Sequence, residues 1–249
     1  MKEYGLLGYP LGHSFSRAFF TEKFEREGID ARYLNFELSD ISQLPEVLKA
    51  HPQLRGLNVT IPYKQAVIPY LDELSDEARA IGAVNVVRIA HDADGKLHLK
   101  GFNSDIIGFT DSIRPLLQPH HRQALVLGTG GASKAICRGL EKLGLQWRYV
   151  SRTPRQGQFT YSDITPARLA DYTVIVNCSP VGMFPHTDES PALPYAALSP
   201  RHLLFDLVYN PEETLFMRQG RRFGATVKNG LEMLHLQAIA SWRFWEMED

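Results

Sequence analysis

The run Val126-Leu127-Gly128-Thr129-Gly130-Gly131-Ala132-Ser133 restricts the fold more than any other part of the chain. The apolar stretch Ala124 to Leu127 leads into it and Ala132 to Ile136 opens a helical pattern after it, so a buried strand must turn abruptly into a helix. Glycines permit such a turn because they tolerate left-handed backbone and leave space above it. Apolar strands alternating with helices pack as a parallel sheet covered on both faces. A glycine turn at the strand-to-helix junction of that sheet also points helix amides outward, the geometry that cradles a dinucleotide pyrophosphate.

The neighbouring sequence repeats the scheme. Strand 124–127, helix 132–143, strand 146–150 and strand 173–177 form a βαβ series, followed by a strand at 202–208 and a helix at 213–223. The stretch 153–172 has only a weak helical signal around 166–170, so that crossover is expected to be mostly loop. Residues 230–248 read as a long amphipathic helix with Leu231, Leu234, Ile239, Trp242 and Trp245 among its apolar positions. The first hundred residues predict strands at 4–8, 31–38, 55–60, 85–90 and 96–101. Helices are expected at 15–27, from an Asp40 cap to Ala50, at 63–71 and at 73–81, with hairpin turn chemistry at Asp92-Ala93-Asp94-Gly95. This half is an open α/β sheet with an antiparallel edge. A helix from Asp105 to about Leu117 then leads to a Pro119-His120-His121 break before the glycine-turn half.

A length of 249 residues with 44% hydrophobic content fits two modest domains. A net charge of -1 and a pI near 6.8 exclude a general nucleic-acid or membrane-surface binder, which needs a basic face. Cys137 and Cys178 sit in apolar helical and strand patterns and are expected as buried thiols. No run has the length of a signal or membrane segment, so a cytoplasmic location is expected. The histidines show no HExxH spacing and neither cysteine has a CxxC partner, so no metal site is expected. Monomer and homodimer are both open.

Lys64 closes Asn58-Val59-Thr60-Ile61-Pro62-Tyr63-Lys64, and Asp105 closes Gly101-Phe102-Asn103-Ser104-Asp105. An amine with a carboxylate partner is an oriented proton donor, which reduction of a ketone needs beside a hydride source. Asn58, Thr60 and Asn85 fall at or near ends of inferred strands, where open α/β sheets collect ligand-binding groups, and together they suit a small polyhydroxylated ligand. After the strand at 146–150 comes Ser151-Arg152-Thr153-Pro154-Arg155 in place of the acidic residue that holds the ribose of NAD. Arg152 and Arg155 attract a 2′-phosphate and Thr153 donates to it, so NADP is favoured. Ser14 and Ser16 stand two apart at a strand-to-helix junction and suit either a helix cap or a carboxylate, with His13 beside them read as structural.

These segments resemble shikimate dehydrogenases over nearly the whole chain. The resemblance runs in order through Gly8 to Ser16, Asn58 to Lys64, Gly82 to Asn85, Gly101 to Asp105, Gly128 to Ala132, Ser151 to Thr153, Asn177 to Met183, Asp206 to Tyr209 and Gly230 to Ala238. It implies a substrate-binding domain at 1–104, completed by a returning helix at 232–249, a Rossmann-like NADP domain at 105–231, and a cleft between them. It implies that Ser14, Ser16, Asn58, Thr60, Lys64, Asn85, Asp105, Tyr209 and Gln237 surround shikimate, the two serines and Tyr209 toward its carboxylate. Lys64 and Asp105 are then catalytic. Gly128, Thr129, Gly130, Gly131 and Ala132 with Ser151, Arg152, Thr153 and Arg155 would hold the cofactor, while Met183, Leu207 and Gly230 lie near its nicotinamide.

The implied activity is reversible NADPH-dependent reduction of 3-dehydroshikimate to shikimate, a step toward chorismate and the aromatic amino acids. A broader quinate/shikimate dehydrogenase and a non-catalytic NADP-binding regulator are the rival expectations. Arg17 stands where the family usually has proline, Thr21 where asparagine is common, and Ser151 where asparagine precedes the arginine.

Overall fold

A computed structural model describes residues 1–12, 15–91 and 95–247. His13, Ser14 and the turn at 92–94 lie outside the described residues. The chain forms two compact units, Met1–Ser104 with Ala238–Asp249, and Asp105–Gln237.

The first unit contains β1 (Lys2–Gly8), α1 (Phe15–Glu27), β2 (Ala31–Glu37), α2 (Leu44–Ala50), β3 (Leu54–Val59), α3 (Tyr63–Ala66), β4 (Glu73–Leu74), α4 (Asp76–Ile81), β5 (Val86–His91) and β6 (Leu97–Phe102). Among the described residues its sheet has the order β2-β1-β3-β5-β6-β4. β1 runs parallel to β2 and β3, while β5 is antiparallel to both of its neighbours. The antiparallel hairpin strands expected at an edge are therefore internal: β5 lies between β3 and β6, and β6 is removed from the edge by β4, which pairs Glu73 with Lys100 and Leu74 with Gly101 on its outer side. Glu73 and Leu74 were expected to open a helix. Instead the helix starts at Asp76, because the Ser75 hydroxyl accepts from the Ala78 amide at 3.2 Å, and Gly82 at φ 67 closes it. Asp40 likewise caps a short 3₁₀ turn, Ile41–Gln43, ahead of α2.

One face of this sheet buries Leu7, Leu57, Val59 and Val87 against Leu44, Val67 and Ala78. The other buries an aromatic cluster, Tyr4, Phe20, Phe24, Tyr33 and Phe102, together with Ala238 and Trp245 from the C-terminal tail. Trp245 donates from Nε1 to the Val87 carbonyl at 3.1 Å, and its ring occupies the space where a Cβ on Gly56 would stand. Each such aromatic, fully buried, contributes about 1.5–3 kcal/mol through area removed from water.

The second unit contains α5 (Asp105–Ile113), β7 (Gln123–Leu127), α6 (Gly131–Lys142), β8 (Gln146–Val150), α7 (Pro166–Asp171), β9 (Val174–Asn177), β10 (Leu203–Asp206), α8 (Leu215–Arg222) and β11 (Thr226–Lys228), and α9 (Leu231–Trp245) begins in it and continues into the first unit from Ala238. Its sheet is parallel throughout, in the order β11-β10-β9-β7-β8. One face packs Val126, Val176 and Phe205 against Phe109, Ile136 and Leu140. The other packs Leu125, Ile175 and Leu204 against Leu169, Tyr195 and Phe216. This Rossmann-like arrangement explains why the strand segments read as unbroken apolar runs. β11 escaped the pattern because three residues are too few to show a period. The thin crossover holds one 3₁₀ turn, Tyr161–Asp163, and α7. Cys137 and Cys178 are free thiols, and burial pushes Cys137 up to about 12. No helix among the described residues is long and apolar enough to cross a membrane.

Candidate functional site

In the second unit the chain leaves β7 for β8 on one side and then crosses to β9 on the other. Open parallel sheets bind ligands at such a reversal, beyond the carboxyl ends of the strands. A cavity of about 890 Å³ lies there. Gly128, Thr129 and Gly130 line it, together with Ser151, Arg152 and Thr153. Met183 joins them from the loop after β9, with Cys178, Ser179, Pro180 and Val181.

The glycines have specific reasons. Gly128 has φ 98, a left-handed value, and its amide donates to the Val150 carbonyl at 3.0 Å. No heavy atom lies within 4 Å of where a side chain would start at Gly130 or Gly131. Gly130 is the N-cap of α6 with no side-chain cap, while the buried Ser133 hydroxyl donates back to the Gly130 carbonyl at 2.6 Å. The start of α6 thus presents amides to open space beside Arg152, which is an anion cradle. Ser151 keeps the turn: its hydroxyl accepts the Thr153 amide at 3.2 Å, the task an asparagine performs in an Asx turn.

Gly131 and Ala132 form the first turn of α6, and Arg155 lies on the exposed loop with its amide donating to Gln158 Oε1 at 3.1 Å; none of the three lines the cavity. Leu207 and Gly230 lie against each other: the Gly230 amide donates to the Val208 carbonyl at 3.2 Å, and any Cβ on Gly230 would strike the Leu207 backbone. Tyr209 is 43% exposed just after β10, and Gln237 sits on α9, donating to the Leu234 carbonyl at 3.1 Å. Asp105 is the buried first residue of α5, where a carboxylate faces the positive end of the helix.

In the first unit the structure assembles a buried polar network around two of the expected residues. Asn58 Oδ1 accepts from the Tyr33 hydroxyl at 2.8 Å and its Nδ2 donates to Ser241 Oγ at 2.9 Å. Ser241 Oγ lies 3.1 Å from Ser104 Oγ. Asn85 Nδ2 donates to Ser104 Oγ at 3.0 Å and its Oδ1 accepts the Ser104 amide at 2.6 Å. Ser16, on the first turn of α1, pairs with the Tyr33 hydroxyl, whose pKa is driven far up by burial. Thr60 follows β3 directly, and Lys64 on α3 is tied to Asn85's neighbour, because the Val84 amide donates to the Lys64 carbonyl at 2.7 Å. Ser16, Asn58 and Asn85 are therefore joined by hydrogen bonds through Tyr33, Ser241 and Ser104. Sequence reading missed those three bridging residues, since Asn58 and Ser241 are 183 positions apart. Arg17 and Thr21 border an open hollow of about 470 Å³ with Gly12 and Asn35.

Two further groups carried no role in the sequence. Tyr161 lines the cavity; burial raises its pKa, and the charge of Arg152 opposes that rise. Asn177 holds the loop above β9, its Oδ1 accepting from the Ser179 amide at 3.1 Å and hydroxyl at 2.6 Å. Among the described residues no group of histidine, cysteine and carboxylate side chains could hold a metal ion.

Residues 6–87 match the model of the shikimate dehydrogenase substrate binding domain. The chain is 36% identical to the NADP(+) shikimate dehydrogenase of Carboxydothermus hydrogenoformans, over 97% of this chain and 90% of that protein. It is similar, with a TM-score of 0.84 and 32% identity over 99% of this chain and 94% of the other, to the Thermus thermophilus shikimate 5-dehydrogenase solved with NADP(H) and shikimate. The quinate dehydrogenase of Corynebacterium glutamicum, solved with NAD, superposes with a TM-score of 0.86 at 27% identity, over 98% of this chain and 93% of that one.

Proposed function

Because this chain belongs to the shikimate dehydrogenase family, we propose that it catalyses the reversible NADPH-dependent reduction of 3-dehydroshikimate to shikimate. The similarity that runs through both units, at 36% identity over 97% of the chain, carries this reading. The open amide-lined start of α6 and the basic Arg152 in the same cavity suit a pyrophosphate and a 2′-phosphate, so the residues present fit NADP. Gly128, Thr129, Gly130, Arg152 and Thr153 would hold it, with Met183, Leu207 and Gly230 toward the nicotinamide.

When bound, NADPH supplies the hydride delivered to C3 of the substrate. Lys64 donates a proton from Nζ to the oxygen as negative charge develops there, and Asp105 assists that transfer. Asn58 and Asn85, held by Tyr33, Ser241 and Ser104, present fixed amides, and a network already satisfied needs little reorganisation when substrate arrives. Ser14, Ser16, Thr60, Tyr209 and Gln237 complete the substrate contacts in this reading. In the oxidative direction the same Lys64 takes the proton back.

The likeness to an NAD-bound quinate dehydrogenase favours one second reading, a broader quinate/shikimate dehydrogenase. Initial rates of shikimate and quinate oxidation with NADP and with NAD separate the two. NADP-dependent shikimate oxidation as the dominant activity supports the proposal; no nicotinamide reduction with shikimate overturns it.

A further inference from the structure

Asp206 is a carboxylate with no solvent exposure at the end of β10, and the proton-transfer scheme above does not use it. Its Oδ1 accepts from Asn177 Nδ2 at 2.9 Å and from the Val208 amide at 3.1 Å, and its Oδ2 accepts from the Thr214 hydroxyl at 2.6 Å. These donors come from three places: the end of β9, the turn after β10, and the N-cap of α8. Asn177 in turn holds both the amide and the hydroxyl of Ser179, and its Nδ2 reaches the Val181 carbonyl at 3.4 Å.

The first of these segments borders the cavity: Cys178, Ser179, Pro180, Val181 and Met183 line its 890 Å³. The second carries Leu207, whose backbone lies against Gly230, the pair assigned to the nicotinamide in the reading above. We infer that Asp206 is a positioning residue for the cofactor: through Asn177 and Val208 it fixes the loop above β9 and the turn after β10 at one spacing, so that both meet the nicotinamide half of NADPH together. A buried charge is costly unless its oxygens are satisfied, and here two of the three donors, Asn177 and Val208, belong to the loop above β9 and the turn after β10, while the third, Thr214, ties the same carboxylate to the start of α8. Burial raises this carboxyl to about 6, with the Thr214, Val208 and Asn177 bonds opposing the rise. A neutral apolar group would fill the same volume without that penalty, but it would hold neither Asn177 nor Val208. The inference rests on the NADP-dependent reading above.

The test measures NADPH affinity directly, by fluorescence titration of the purified full chain without turnover, alongside melting temperature and the KM for shikimate. In Asp206→Leu both accepting oxygens are lost with the volume roughly kept, and in Thr214→Val the hydroxyl anchor is lost with volume kept. Asp206→Leu is expected to raise the Kd for NADPH about tenfold or more at a temperature well below its melting point, while the KM for shikimate stays within about twofold; Asp206→Asn, whose remaining Oδ1 still accepts from Asn177 and Val208, is expected to keep most of the affinity. Thr214→Val is expected to weaken NADPH in the same direction and Thr214→Ser to restore it. An unchanged NADPH Kd in Asp206→Leu overturns the inference, as does a loss shared equally by NADPH and shikimate or one that only tracks a lowered melting temperature. If wild-type chain binds no NADPH, the functional reading itself fails, and the two failures are thereby distinguishable.

Discussion

Replacing Arg152 by alanine tests its proposed part in separating NADP from NAD. Arg152 stands on the exposed turn after β8 and lines the same cavity as the glycine turn, and the Ser151-to-Thr153 hydrogen bond shapes the backbone beneath it. A hydrogen bond to a charged group contributes about 1.5–3 kcal/mol, and solvent around this side chain places its 2′-phosphate contact at the lower end. About 1.5–2 kcal/mol corresponds to a ~10- to 30-fold rise in Kd. NADH has no 2′-phosphate and should bind with nearly unchanged affinity. Fluorescence titration of both nucleotides against wild type and Arg152→Ala measures this directly. Raising ionic strength from about 0.05 to 0.5 M should shrink the wild-type preference, because the screening length falls below 10 Å. Arg152→Lys should retain part of the preference, as a point charge without the planar fork. Equal losses for NADPH and NADH, or an NADPH Kd within twofold of wild type, would refute the assignment of Arg152 to the 2′-phosphate.

Lys64→Ala should lower turnover by ~10²–10⁴-fold with NADPH affinity nearly intact, read from steady-state rates beside the titration; turnover within a few-fold of wild type removes Lys64 from the chemistry. The Asp206 carboxyl, near 6 in the fold against an ordinary 3.8, keeps a proton that the unfolded chain releases, so stability from this group falls as pH rises through that window. The difference is about 3 kcal/mol, and the stability of Asp206→Asn relative to wild type should improve by about 2 kcal/mol between pH 4 and pH 7.5 in urea melts. A flat difference across that range contradicts the buried ionised carboxylate. Gly56→Ala drives a methyl into the Trp245 ring and should cost about 1–3 kcal/mol of stability, visible as a lower urea midpoint at constant slope; a midpoint equal to wild type would mean that the indole moves aside freely.

The parts of the fold that were legible in the sequence are those with long repeating patterns. The β7 turn into α6, and the unbroken apolar runs of β7, β9 and β10, state a parallel sheet because each residue's burial is set by its own strand. β4 was not legible: Glu73-Leu74-Ser75-Asp76-Glu77 reads as helix locally, and only pairing with β6 holds Glu73 and Leu74 extended. The internal position of β5 is equally invisible, since strand order depends on partners rather than on periodicity. At the candidate site the sequence offered residue types and strand ends. It had no means of showing that Tyr33, Ser104 and Ser241 link Ser16, Asn58 and Asn85, because those contacts join remote segments. Asn177 and Asp206 stood inside matched segments, yet nothing local marks an asparagine and an aspartate 29 positions apart as partners.

The discontinuity of the first unit bears on how the protein is made. Its aromatic core needs Ala238 and Trp245, and Asn58 needs Ser241, yet these leave the ribosome only after the whole of the second unit. The intervening chain, Asp105–Gln237, is a unit with its own two-faced core and can condense first. Throughout that interval Gly56, Tyr4 and Phe20 present an unfilled apolar slot, a surface suited to chaperone capture and to misassociation between nascent chains. Loss of the final turns of the last helix, by an early stop codon or by proteolysis, would leave that slot permanently open. Vectorial synthesis therefore completes the first unit only after the second has been made.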